Sequence, residues 1–373
     1  MLTSTRLRSR NESYRGFTLL ELLVVISIVA LLVSILLPSL KEARRQAKTV
    51  VCASHLKGMG TGLQTYLSEY ADWIPGVNTS GVGLRANMQN PEALQTDFMP
   101  VQQFDWMTPI RTGTALPWKR AERFHFLLSE MKCPSLMDVP SVAASYGPSP
   151  DDDDFDNIEL WPMTSYLMPV SFQYWGDLDA GKSLAKVRGP MSFKRVRALA
   201  APKAYQTVRS ERYISRIDRV GNPSEKLFVS DGTRFLDDKN LLDFDYFPWP
   251  QHFGAFGTSG AFWRGSTAYG VKAYTAIWGD DGPVPGVSVN SGTESLAEGK
   301  NLQLTYRHGE RGVTISGDAT KNPGSINALF YDGHVNLLSD RLSRRVEYWY
   351  PRGAVVLKPE DGMETVDKGH IVR

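Results

Sequence analysis

A carboxylate stands in this chain where a carboxylate is costly. Glu21 opens the run Leu22 to Leu37, in which thirteen of sixteen residues are Leu, Ile or Val and none is charged. At about −0.3 to −0.6 kcal/mol per such residue, the run favours bilayer insertion by roughly 4–8 kcal/mol. Phe17 to Leu37 is long enough to cross a membrane as a helix. An ionisable group inside such a helix marks function, and in an apolar surround it needs a partner charge. The chain has two cysteines, Cys52 and Cys133, with no Cys-x-x-Cys pair, which excludes a zinc ribbon or a thioredoxin-like redox site. His308 follows Arg307 and, on its own, reads as a satisfied polar residue. Asp332-Gly333 lies between the apolar runs of residues 326–331 and 335–338, a strong hairpin signal of the type I′ kind. Gly-x-Ser-x-Gly, His-Glu-x-x-His and P-loop patterns are absent, so the sequence reads as a non-enzyme. A membrane-tethered hydrolase is the remote alternative.

Three compositional patches have weaker chemistry. Asp152, Asp154 and Asp156 sit in the acidic string of residues 151–156 and are weak calcium candidates. The string lacks the glycine and the terminal glutamate of an EF-hand loop, so a solvated loop is the preferred reading and no cofactor is expected. Lys182 to Arg219 carries eleven Lys or Arg against two acids, which would suit an acidic polymer or simply a solvated face; nucleic acid is not the expected partner. Residues 244–278 hold eleven aromatics, read as core ahead of a sugar-stacking tip.

The elements that must position these groups follow from the pattern. Met1 to Gly16 is a leader with four arginines and one glutamate. Four basic residues on the far side of the apolar run leave the positive-inside count tied. Pro38 is expected to end or kink the membrane helix. Leu40, Ala43, Ala47, Val50 and Val51, then Leu56, Met59, Leu63, Tyr66, Leu67 and Tyr70, recur at helical steps on one face. Gly58, Gly60 and Gly62 weaken the middle of this helix by about 1 kcal/mol each relative to Ala. Beyond residue 70, short apolar runs punctuated by Gly, Pro and Asn predict strands and long loops. The expected organisation is therefore leader 1–16, membrane helix 17–37, amphipathic continuation 38–70 and β-rich head 71–373. No second membrane span is expected.

Gly16-Phe17-Thr18-Leu19 with Glu21, after a basic leader and before the apolar run, resembles the class III signal of type IV prepilins and type II secretion pseudopilins. The resemblance implies an α+β, pilin-like fold: a long N-terminal helix on a large antiparallel β-rich head. It implies that prepilin peptidase cuts after Gly16 and that Phe17 becomes the N-methylated first residue. It assigns Glu21 to the amine of a neighbouring subunit during assembly. It also resolves the orientation: a single pass of the inner membrane, leader in the cytoplasm, head in the periplasm or on the surface. Loss of the leader takes the formal charge from +2 to −1, so the basic balance says little about partners.

The string from Val51 to Gly60, with Trp73-Ile74-Pro75, Cys133-Pro134-Ser135, Asn222-Pro223-Ser224 and Leu227–Asp231, is similar to a subfamily of pseudopilin-like proteins of Planctomycetes, Verrucomicrobia and relatives. That subfamily closes on a His, nine residues, Asp-Gly motif. Here Asp332 and Gly333 fit, but His308 lies 24 positions before Asp332. The motif reads as a structural hairpin ahead of a recognition feature. Implied partners are prepilin peptidase, other pilin or pseudopilin subunits, and the secretion or pilus machinery. A minor pilin-like adhesin or binding protein is the second reading. Under this topology Cys52 and Cys133 lie in an oxidising space, where an even count favours a disulfide across about 80 residues, worth roughly 4–5 kcal/mol; two unpaired buried thiols are the alternative.

Overall fold

The computed structural model describes residues 17–87, 99–111, 113, 115–135, 138–139, 144–145, 161–162, 164–176, 208–210, 212–232, 243–244, 256–258, 276–279, 282–288, 304, 306–309, 324–359, 363–364 and 366–373. Gly16 and the rest of the leader, the acidic string with Asp152, Asp154 and Asp156, and most of the basic and aromatic stretches lie outside the described residues. The chain divides into two units, Met1–Gln46 and Ala47–Arg373.

α1 (Leu19–Glu69) is one helix of 51 residues. Among the described residues it is the one helix long and apolar enough to cross a membrane. Every side chain from Phe17 to Leu40 is exposed within the chain. The hydroxyls in this stretch are satisfied inside the helix, Ser27 Oγ donating to the Val24 carbonyl and Ser34 Oγ to that of Leu31, both at 2.7 Å. That is the requirement for polar groups at membrane depth. Pro38 does not end the helix, which continues through it. Its ring removes one ladder donor, a loss that a long helix on either side can absorb.

The predicted helical face is used only in part. Leu40, Val50 and Val51 remain exposed. Cys52, Leu56, Met59, Gly60, Leu63, Tyr66 and Leu67 are buried at the three- and four-residue steps of one face. They join a core with Trp106, Phe124, Leu127, Phe172, Phe228, Val229, Leu329 and Tyr331. Phe124 and Leu127 come from a second helix, α2 (Arg120–Glu130).

The sheet that receives α1 has five strands: β1 (Tyr166–Pro169), β2 (Leu227–Asp231), β3 (Gly257–Thr258), β4 (Ser325–Phe330) and β5 (Val335–Ser339). Their spatial order is β5-β4-β2-β1-β3. All neighbours are antiparallel except β1 and β3. β4 alternates as a strand must. Leu329 and the following Tyr331 enter the core that contains α1. Ile326, Ala328 and Phe330 enter a second core with Leu227, Trp349, Tyr350 and Val356. Both faces of the sheet are covered, which is why β2 and β4 read as almost continuous apolar runs. The fold is α+β, with a long apolar N-terminal helix followed by largely antiparallel sheets, as expected.

The hairpin at Asp332-Gly333 is present, but its turn differs from expectation. Gly333 has φ +87°, whereas Asp332 stays out of the left-handed region. Gly333 N–H donates to the Phe330 carbonyl at 2.9 Å, and Phe330 N–H to that of His334 at 3.0 Å. This is a three-residue loop closed by a glycine bulge, which needs one left-handed residue where type I′ needs two. Its carbonyls then serve the helix: Lys57 Nζ donates to Gly333 O at 2.8 Å and Gln64 Nε2 to Tyr331 O at 2.9 Å.

The three helix glycines are not equivalent. A Cβ on Gly58 would meet nothing within 4 Å, whereas one on Gly62 would lie 2.2 Å from the Ile110 carbonyl oxygen. Gly62 therefore permits close backbone approach, and Gly58 contributes only its entropic cost. In thermal and denaturant unfolding of the purified full chain, Gly58→Ala should stabilise by about 0.5–1 kcal/mol. Gly62→Ala should destabilise despite its better helix propensity. Equal effects of both would show that the approach at Ile110 is not tight.

Candidate functional site

Two places carry the residues singled out by the sequence, one in each unit. The first is the start of α1. Thr18 precedes the helix and Glu21 is its third residue. Thr18 N–H and Oγ1–H donate to Glu21 Oε2 at 2.9 and 2.8 Å, and Glu21 N–H donates to Thr18 Oγ1 at 3.2 Å. This reciprocal arrangement is a capping box, in which two orphan donors of the first turn are satisfied by side chains. The Thr-x-x-Glu spacing was legible in the sequence, although the carboxylate alone had drawn the reading. Phe17, just outside the cap, is 70 % exposed.

The second place is buried in the unit from Ala47 onward. Four segments that are distant in sequence meet there. Cys52 comes from α1. Cys133 follows the end of α2, and its N–H donates to Ser165 Oγ at 2.8 Å. Asp231 ends β2, opposite Tyr166 of β1. Arg307 and His308 lie on a segment that bridges Ser325 at the start of β4. Asp231 is fully buried and holds three partners. Its Oδ1 is 3.1 Å from an Arg307 guanidinium nitrogen, and its Oδ2 is 3.2 Å from His308 Nε2. The Asn327 N–H donates to the same Oδ2 at 2.6 Å. His308 Nδ1 is 3.1 Å from the Thr49 hydroxyl, which ties the imidazole back to α1.

The electrostatics follow from this crowding. Burial disfavours a charged imidazole, but the charge and hydrogen bond of Asp231 outweigh it and raise the His308 pKa to about 9. The sulfurs of Cys52 and Cys133 lie within 4.8 Å of each other, and their interaction lowers the Cys133 pKa and raises that of Cys52, with Arg307 and His308 further favouring the Cys133 thiolate. Both cysteines are free thiols in the structure. Asp231 and Arg307 have no role assigned from sequence, although Asp231 ends the matched string Leu227–Asp231 and Arg307 precedes His308.

The C-terminal motif is divided between different partners. His308 faces Asp231, Thr49 and Cys133. Asp332 instead pairs with His334, Oδ1 to Nδ1 at 2.6 Å, and the His334 ring stacks on Phe330 with centroids 4.3 Å apart. The hydrogen bonds of Asp332 and Gly333 order the turn and α1.

Comparison with known proteins gives a family match at the N-terminus and one short match to a curated protein. Residues 13–37 match the family described as Prokaryotic N-terminal methylation motif. The type IV wide pilus major component PilA4 of Thermus thermophilus is 48% identical over 42 residues, which is 11% of this chain and 32% of that protein. The chain thus aligns with about a third of that relative's length. No solved structure matches. The N-terminal segment is that of a type IV prepilin-like protein.

The buried ion pair has a measurable consequence. Asp231→Asn leaves the Arg307 guanidinium without its carboxylate in a dry surround, and should cost about 3–5 kcal/mol in denaturant unfolding of the full chain. Asp218→Asn, which breaks an exposed pair with Arg216, should cost less than about 1 kcal/mol. Comparable small losses from both would mean that Asp231 is not the anchor of the cluster.

Proposed function

We propose that the chain is a structural subunit of a type IV pilus-like or type II secretion-like filament, processed by prepilin peptidase and held in the inner membrane before assembly. The observation that carries this reading is the methylation motif at residues 13–37, laid over a helix start whose apolar side chains are all exposed. The peptidase removes residues 1–16 after Gly16, and Phe17 becomes the N-methylated first residue. The apolar part of α1 holds the subunit in the bilayer and then lies against the same part of neighbouring subunits. The β-rich head stays on the non-cytoplasmic side. The work of such a subunit is packing and display, so no catalytic residue is assigned.

Glu21 has two tasks in this scheme. Within the subunit it completes the cap with Thr18. Between subunits it is the negative charge available to the new amine at Phe17, a group too costly to leave unpaired in an apolar core. Membrane insertion needs neither task, because removing the carboxylate makes the segment more apolar.

Intact-mass measurement of the membrane-extracted chain should show loss of residues 1–16 and one added methyl group. Retention of the leader in cells that hold an active peptidase would overturn the reading. Glu21→Ala should insert as well as wild type but fail to enter sheared or cross-linked filaments at equal membrane abundance. Thr18→Ala removes the cap and keeps the charge, so it should still assemble. Assembly of both variants would make Glu21 a capping residue alone, whereas failure of both would assign the defect to the helix start.

A further inference from the structure

Among the described residues, Cys52, Cys133 and His308 form a group whose possible metal-ligating atoms all lie within 4.8 Å of one another, and all three residues are buried. A tetrahedral zinc ion holds nitrogen and oxygen ligands at about 2.0–2.2 Å and sulfur at about 2.3 Å, which places neighbouring donors about 3.3–3.8 Å apart. Asp231 Oδ2 and His308 Nε2 stand 3.2 Å apart, and Cys133 Sγ stands 4.0 Å from the same nitrogen. Small side-chain rotations close the three-residue group on one ion, and Asp231, which touches the group through His308 and stands outside its 4.8 Å spacing, completes the set by a further rotation.

We propose that Cys52, Cys133, His308 and Asp231 bind one zinc ion in a closed structural site that fastens α1 to β2 and to the segment bridged to β4. The inference goes beyond the filament reading and does not depend on it.

Three features of the surroundings support the site. The donor set of two sulfurs, one imidazole and one carboxylate suits a borderline-soft ion that takes four ligands, and is wrong for calcium or magnesium. The ligands are held from behind, as metal ligands are. His308 Nδ1 meets the Thr49 hydroxyl, Asp231 Oδ1 meets Arg307, and Asp231 Oδ2 accepts from Asn327 N–H. Charge also balances. Two thiolates and a carboxylate bring three negative charges, and zinc with the Arg307 guanidinium brings three positive ones. Zinc takes both sulfurs as thiolates and His308 as a neutral imidazole, so the thiol protons and the second ring proton of His308 that the metal-free chain carries go to solvent.

The competing chemistry is the Cys52–Cys133 disulfide suggested by the sequence, which would use both sulfurs and assign no ligand role to His308 or Asp231. The test uses the full chain, purified in detergent from membranes without added reductant. Metal content is read by mass spectrometry, and denatured chains are alkylated before intact-mass measurement. The expected result is about one zinc per chain with both thiols alkylated. Cobalt added to the chelator-stripped protein should give the intense visible bands of a tetrahedral thiolate site. His308→Ala should lose most of the zinc, His308→Cys should retain it, and His334→Ala, remote from the cluster, should leave it unchanged. Chelation should lower the melting temperature of wild type and leave that of His308→Ala unmoved.

A chain lighter by two hydrogens, with neither thiol alkylated, would establish the disulfide and overturn the metal site. Two free thiols with no zinc retained and no cobalt spectrum would overturn it as well. If His308→Ala fails to fold, the His308→Cys variant and the wild-type cobalt spectrum still decide. Zinc bound to wild type at the same level in His308→Ala would place the ion elsewhere.

Discussion

A buried carboxylate cannot stand alone, and much of the larger unit is arranged so that Asp231 does not. It lies at the end of β2 with no exposed surface, and its charge is taken up by Arg307, by His308 and by a backbone N–H of β4. The partners come from two segments, the one that carries Arg307 and His308 and the strand β4. Satisfying this one group therefore fixes the register of β2 against β4 and draws the Arg307-His308 segment alongside. His308 then reaches Thr49 on α1, so the same network that neutralises Asp231 also seats the helix. A buried polar network of this kind specifies one arrangement, because any slip leaves a charge unpaired in the interior.

The seat of the helix is otherwise apolar and close. The buried face of α1 from Cys52 to Leu67 meets the sheet through Leu329, Tyr331, Phe228 and Val229. Gly62 lets the helix backbone approach the Ile110 carbonyl, and the hairpin turn after β4 offers its own carbonyls to Lys57 and Gln64. The turn is thus both the end of a strand pair and a contact surface for the helix. This gives the Asp332-Gly333 motif a structural task.

At its start, α1 serves another environment. Its apolar side chains are exposed among the described residues, its serines bond their own helix, and its first turn is closed by Thr18 and Glu21. In the proposed filament, the carboxylate that caps the helix would also face the amine of a partner subunit. A cap is a local device that survives membrane insertion, so the group can be held ready in the monomer.

The division between sequence and tertiary structure follows from range. Periodicity and short motifs are local, so the apolar helix, the buried face at residues 56–67, the alternation of β4 and the hairpin at Asp332 could all be read from residue types. So could the prepilin-like start, because the motif from Arg15 to Glu21 is local. The turn type could not, since whether one or two residues adopt positive φ depends on how the strands twist and on what the loop carbonyls must reach. The exposure of Val50 and Val51 was equally invisible, because an apolar stripe announces a face and not the surface that covers it. The cluster of Cys52, Cys133, Asp231 and His308 lay furthest from view. No spacing in the chain links Asp231 or His308 to the cysteines, and only the fold, with α1 laid on the sheet and Cys133 and the Arg307-His308 segment brought alongside, gathers these side chains in one place.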